Sequence, residues 1–141
     1  MERGQQIPKM DHLACFLSGL LVLGSEGPHA DQYLELGKEL GRTCYEMYHQ
    51  QPSGLAPEMV NFRHNSGMVS GAHHNLLRPE TVESIFYLYR RTGDEKYREW
   101  GWEIFQAFER HCRTQDGYAG LLDVRQAQPR KDDTMQERAP P

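Results

Sequence analysis

Pro79-Glu80-Thr81-Val82-Glu83-Ser84-Ile85-Phe86-Tyr87-Leu88-Tyr89-Arg90-Arg91-Thr92-Gly93-Asp94 reads as one helix, its stop and the start of another. Pro79 takes the place of a first helical residue, where its missing N–H removes no helical bond and its fixed φ suits the turn. Val82, Ile85, Phe86 and Tyr89 follow at i, i+3, i+4 and i+7, one face of a helix. Gly93 closes it. Asp94 is a good N-cap for the next helix, whose apolar face is Tyr97, Trp100, Ile104, Phe105 and Phe108. The unit is a helical hairpin.

Upstream the pattern repeats. Met10 to Gly24 reads as a helix with Asp11 near its start and Gly24 as its stop, and Gly27-Pro28 marks a turn. Ala30 to His49 is a second helix showing Leu36, Leu40, Cys44 and Met47 on one face. Pro52 to Gly54 ends it. Leu55 to Phe62 is short and partly extended, and Arg63 to His74 reads as a polar loop punctuated by Gly67 and Gly71. Downstream, Gly117-Tyr118-Ala119-Gly120 is a turn, and Leu121 to Val124 reads as a short strand. From Arg125 onward the chain is polar and without apolar period, so loop or disorder is expected. The fold class is all-α: two helical hairpins with short extended segments in the loops.

The 141 residues suffice for one core, and 38% hydrophobic content is not that of a disordered chain. A net charge of -4 with no Lys/Arg block argues against a nucleic-acid partner. Met1 to Met10 has no apolar core of a signal peptide. Leu13 to Gly24, the most apolar run, is too short to span a bilayer, so any membrane anchor is expected outside this segment. By count alone, Cys15, Cys44 and Cys112, with neither CxxC nor zinc-ligand spacing, read as buried thiols of a cytosolic protein. His73-His74 is not expected to bind zinc, since adjacent loop side chains point apart and no further ligands follow at a suitable spacing.

Several runs in fixed order resemble the class I α-1,2-mannosidases, glycoside hydrolase family 47. They are Met10-Asp11-His12-Leu13-Ala14-Cys15-Phe16, the Leu36 to Tyr45 helix ending Thr43-Cys44-Tyr45, Gly54-Leu55-Ala56-Pro57-Glu58, Leu76 to Ser84 and Tyr87-Leu88-Tyr89-Arg90, with Gly117 to Gly120 closing the series. The resemblance covers residues 8–136 as a partial catalytic domain and leaves 137–141 as a divergent tail. It implies part of an (α/α)7 barrel, of which this chain would supply about two helix pairs. It also implies a mannosyl-oligosaccharide 1,2-alpha-mannosidase that removes terminal α-1,2-linked mannose from high-mannose N-glycans with inversion. A high-mannose N-glycan or glycoprotein is then the partner, in N-glycan processing or glycoprotein quality control.

Inverting glycoside hydrolysis places an acid on one face of the sugar and a base-held water on the other. By resemblance Glu80 is the base and Glu58 a second catalytic carboxylate, while Arg78 and His12 bind substrate; Glu83, one helical turn from Glu80 on the same side, is expected to line the substrate pocket or to hold calcium-bound water. Without it, Glu80 reads as a helix-start acid at the positive end of the dipole, Glu58 as a solvated loop charge, and His12 as a helix-start histidine. Cys15 and Cys44 match the family's disulfide, which replaces the cytosolic expectation with the lumen of the endoplasmic reticulum or Golgi, as in a type II membrane protein. The family's cofactor is calcium, held by a threonine in a Phe-Asn-Thr-Glu-Ala-His-type run that is missing here; no metal ligand is expected in this segment. Glu137-Arg138-Ala139-Pro140-Pro141 stands where the family continues into Ser-Phe-Phe-Leu. This chain alone is therefore expected to be incomplete and inactive, and the competing reading is a non-catalytic fragment that binds glycan or glycoprotein.

Overall fold

The structure, a computed structural model, describes residues 8–132 and Thr134. The divergent tail at 137–141 and the start of the chain lie outside the described residues. The chain runs β1 (Lys9–Asp11), a 3-10 segment (His12–Cys15), α1 (Phe16–Leu23), a 3-10 turn (Gly27–His29) and α2 (Ala30–His49). Then come β2 (Met59–Arg63), β3 (Gly67–Ala72), α3 (Glu80–Thr92), α4 (Lys96–His111), β4 (Gly120–Leu121) and β5 (Lys131–Asp132). Helix α1 packs on α2 and α3, and α3 on α4.

The expected helices at 30–49, in the Pro79 to Gly93 run and after Asp94 are present. Pro79 sits one residue before α3 rather than inside it, and Gly93 ends that helix with φ +70°. Asp94 lies before the N-cap of α4, with its Oδ1 accepting the Lys96 N–H at 3.1 Å.

Three expectations need correction. The helix expected from Met10 starts only at Phe16, because Lys9, Met10 and Asp11 pair antiparallel with Asn61, Val60 and Met59. Their backbone groups bond across the sheet, so no helical turn can use them. The polar loop at 63–74 contains β3, which completes an antiparallel sheet in the order β1-β2-β3. Its sequence, Gly-Met-Val-Ser-Gly-Ala, carries little strand propensity of its own; the ladder of β2 supplies the reason to extend. Finally β4 is only Gly120–Leu121, and its partner β5 falls in the run expected to be loop.

The buried faces are also turned relative to the apolar stripes. α3 buries Thr81, Ser84, Ile85 and Leu88, and Phe86 stands 57% exposed. α2 buries Gly37, Gly41, Cys44, Tyr45, Met47 and Tyr48, leaving Leu36 exposed. A Cβ on Gly41 would meet Leu88 Cδ1 at 2.5 Å and Ser18 Oγ at 2.9 Å, so α2 approaches its neighbours more closely than any side chain there permits. Small and polar residues line these seams because they bond across them. Ser84 Oγ donates to the Cys15 carbonyl at 2.7 Å and accepts from the Gly19 N–H at 2.9 Å. It lies between the carbonyl of the residue that caps α1 and the N–H four residues on.

Candidate active site

Two backbone links fix the ground under the site. The His12 N–H donates to Glu58 O at 2.9 Å, and the Glu58 N–H to His74 O at 3.0 Å. Asn75, fully buried, then ties three segments together. Its backbone exchanges two 2.9 Å bonds with Leu121, its Nδ2 donates to Ala56 O at 2.8 Å, and its Oδ1 accepts from the Leu77 N–H at 3.0 Å. A Cβ on Gly120 would strike Asn75 O at 2.6 Å, so that bridge needs a glycine. Leu77 has φ +60°, the one positive value outside glycine among the described residues. Left-handed backbone is costly for a leucine, and here it turns the chain so that Arg78 comes back onto Glu58.

Glu58 is held on both oxygens. Oε1 accepts the Leu76 N–H at 3.0 Å, and Oε2 accepts from Arg78 Nε in a close ion pair. Glu80 opens α3, where a carboxylate is favoured by the helix dipole. Its Oε2 is buried and lies 3.8 Å from Nδ1 of His12. Neither atom has a hydrogen-bond partner. The other ring nitrogen, Nε2, sits 2.7 Å from the Tyr48 hydroxyl and 3.4 Å from Thr81 Oγ1.

His12, only 1% exposed, is kept neutral mainly by burial, which lowers its pKa; the Glu58 and Glu80 charges oppose that shift and Arg78 adds to it. Burial pushes the Tyr48 phenol well up, so it keeps its proton. Thus His12, Glu58, Arg78 and Glu80 come together, from the start of the chain, the loop after α2 and the start of α3. Glu83 lies exposed one turn further along α3.

Tyr48, Thr81 and Asn75 belong to the same cluster and were not among the residues the sequence singled out. Tyr48 lies four residues after Cys44 on the buried face of α2, the one pattern that could have pointed to it. His73 turns its Nδ1 to Ser70 Oγ at 2.7 Å. Among the described residues no group of three or more His, Cys, Asp or Glu is placed to hold a metal ion. With both Glu58 oxygens engaged and Glu80 Oε2 facing an imidazole, these side chains do not fit a calcium cage by themselves.

The sequence model described as glycosyl hydrolase family 47 matches residues 1–137. The chain belongs to this family. It is 47% identical over 134 residues to mannosyl-oligosaccharide alpha-1,2-mannosidase IA of Drosophila melanogaster, an alignment covering 91% of this chain and 20% of that protein. It is 46% identical over 136 residues to the endoplasmic reticulum mannosyl-oligosaccharide 1,2-alpha-mannosidase of Homo sapiens, covering 91% and 20%. Among solved structures it is similar to the alpha-1,2-mannosidase from Trichoderma reesei, with a TM-score of 0.81 at 32% identity, over 88% of this chain and 29% of that one. The helical hairpins are thus part of an (α/α)7 barrel, and the chain spans about a fifth of the length of the curated relatives it matches. The expected Cys15–Cys44 disulfide is formed, with Cα atoms 5.8 Å apart. Cys112 is free and buried, its thiol pushed up to about 11 by desolvation.

Proposed function

We propose that this family 47 segment carries the base side of an α-1,2-mannosidase site, which removes terminal α-1,2-linked mannose from high-mannose N-glycans with inversion. The carrying observation is Glu80 at the first turn of α3, its inner oxygen 3.8 Å from a neutral, buried imidazole. A base must be ionised to take a proton from water. Glu80 stands in the first turn of α3, and a neutral ring beside it adds no second charge that would hold the carboxylate in an ion pair. Arg78, partly exposed and fixed by Glu58, offers its remaining N–H groups to sugar hydroxyls. Glu58 therefore contributes by holding Arg78. Exposed Glu83 stands one turn further along α3, open to a bound sugar, and buried His12 acts behind Glu80 rather than on the sugar.

The acid on the opposite face of the sugar belongs to other parts of the barrel in this reading, as do the ligands of the family's calcium. No step assigned to these residues depends on that ion. The lumen of the endoplasmic reticulum or Golgi is the proposed compartment, supported by the disulfide, which persists in oxidising surroundings, and by the similarity to the human endoplasmic reticulum enzyme. No described helix is long and apolar enough to cross a membrane, so an anchor would lie elsewhere.

The test places residues 1–141 in the matching segment of the Drosophila relative and follows mannose release from a high-mannose glycan. Glu80→Gln keeps the shape and removes the base, so kcat should fall by roughly 10²–10⁴ with KM little changed. A rise in KM at constant kcat would make Glu80 a sugar-binding group and overturn the assignment.

A further inference from the structure

His12 has two ring nitrogens in unlike surroundings, and which of them carries the proton decides what Glu80 faces. We propose that Tyr48 is a positioning residue that donates to Nε2 of His12 and holds the ring with its proton on Nδ1, so that an N–H is aimed at Glu80. The part of this that concerns catalysis rests on the reading of Glu80 as base; the tautomer itself does not.

The argument is one of donors and acceptors. Nε2 lies 2.7 Å from the Tyr48 oxygen, so one of the pair must donate to the other. Were Nε2 the donor, Nδ1 would be a bare lone pair facing Glu80 Oε2, two buried acceptors 3.8 Å apart with no proton between them. With Nε2 as acceptor, the proton moves to Nδ1 and the same two atoms attract. The phenol can donate, since burial keeps it protonated. Thr81 Oγ1, 3.4 Å from the same nitrogen, lies too far to compete with the phenol as its partner. The chain Tyr48, His12, Glu80 then runs in one direction, each link polarising the next. A neutral ring whose far nitrogen is tied down presents its other nitrogen in a fixed direction.

The experiment is nitrogen NMR on the full chain labelled with [15N]histidine, the His12 signals being assigned by their loss in His12→Asn. At pH 7 the expected spectrum has His12 protonated at Nδ1 and bare at Nε2. Tyr48→Phe removes the donor to Nε2, so the Nε2 signal should move toward that of an unbonded nitrogen, and Tyr45→Phe in the same helix should leave the His12 signals unchanged. A wild-type His12 protonated at Nε2, or at both nitrogens, would overturn the proposal even if Tyr48→Phe fails to fold. So would a folded Tyr48→Phe with unaltered His12 signals. A correct tautomer beside an Glu80→Gln variant that keeps its kcat would remove the catalytic reading and leave this one standing.

Discussion

A histidine buried as deeply as His12 leaves a mark on how stability varies with pH. Burial lowers its pKa below the ordinary 6.5, and His111 is lowered in the same direction by burial and by Arg110. As pH falls below about 6.5, the unfolded chain takes up these protons before the folded one does, so the folded state loses ground. Above that value both states are neutral at these sites and the stability is fully present. The urea midpoint should therefore fall between pH 7 and pH 5.5, with each histidine contributing at most about 1.4 kcal/mol per pH unit. His12→Asn should flatten part of that slope. An unchanged slope in the variant would mean that His12 is protonated in the folded chain.

At the scale of elements, Ser84 joins α3 to α1 more tightly than any apolar contact expected there. Its hydroxyl stands between Cys15 O and the Gly19 N–H. Both groups lose a partner in Ser84→Ala unless α1 closes its own bond. A buried group left unpaired costs about 1–3 kcal/mol, so Ser84→Ala should lower stability by roughly that amount in a urea melt. A loss under about 0.5 kcal/mol would show that the ladder of α1 recloses without the serine. The same seam explains why α3 is turned from its apolar stripe. Facing α1 with Ser84, and His12 before it with Thr81, satisfies more polar groups than facing them with Val82 and Phe86, and Phe86 is left outside.

Over the whole molecule, the disulfide spans the longest stretch of chain fixed by a single covalent link. Cys15 and Cys44 are 29 residues apart and both are fully buried. Closing a loop of that length stabilises by roughly 3–4 kcal/mol in the chain-entropy model. Cys15→Ala with Cys44→Ala should lower the urea midpoint accordingly, and reductant should then have no further effect. A double variant as stable as the oxidised chain would place the bridge outside the stability of this fold. The outer faces tell of larger surroundings. Leu13, Leu17 and Leu20 on the first helical stretch, Phe86 on α3, and Trp102 with Phe105 on α4 are all exposed. In a seven-pair barrel such faces lie against neighbouring helices.

The helices were legible because their evidence is local: a 3.6-residue period, Gly93 as a stop, Pro79 as a start. Order and spacing of short runs such as Arg78-Pro79-Glu80 and Gly54 to Glu58 marked the family for the same reason. The tertiary structure alone decided the rest. β1 and β3 exist because β2 accepts their backbone bonds, which no property of Met10 or Gly71 announces. The Glu80 site likewise depends on Tyr48, Thr81 and Asn75, whose side chains are ordinary in sequence. A hydrogen bond is decided by where its partner lies, and for His12 that partner is 36 residues away.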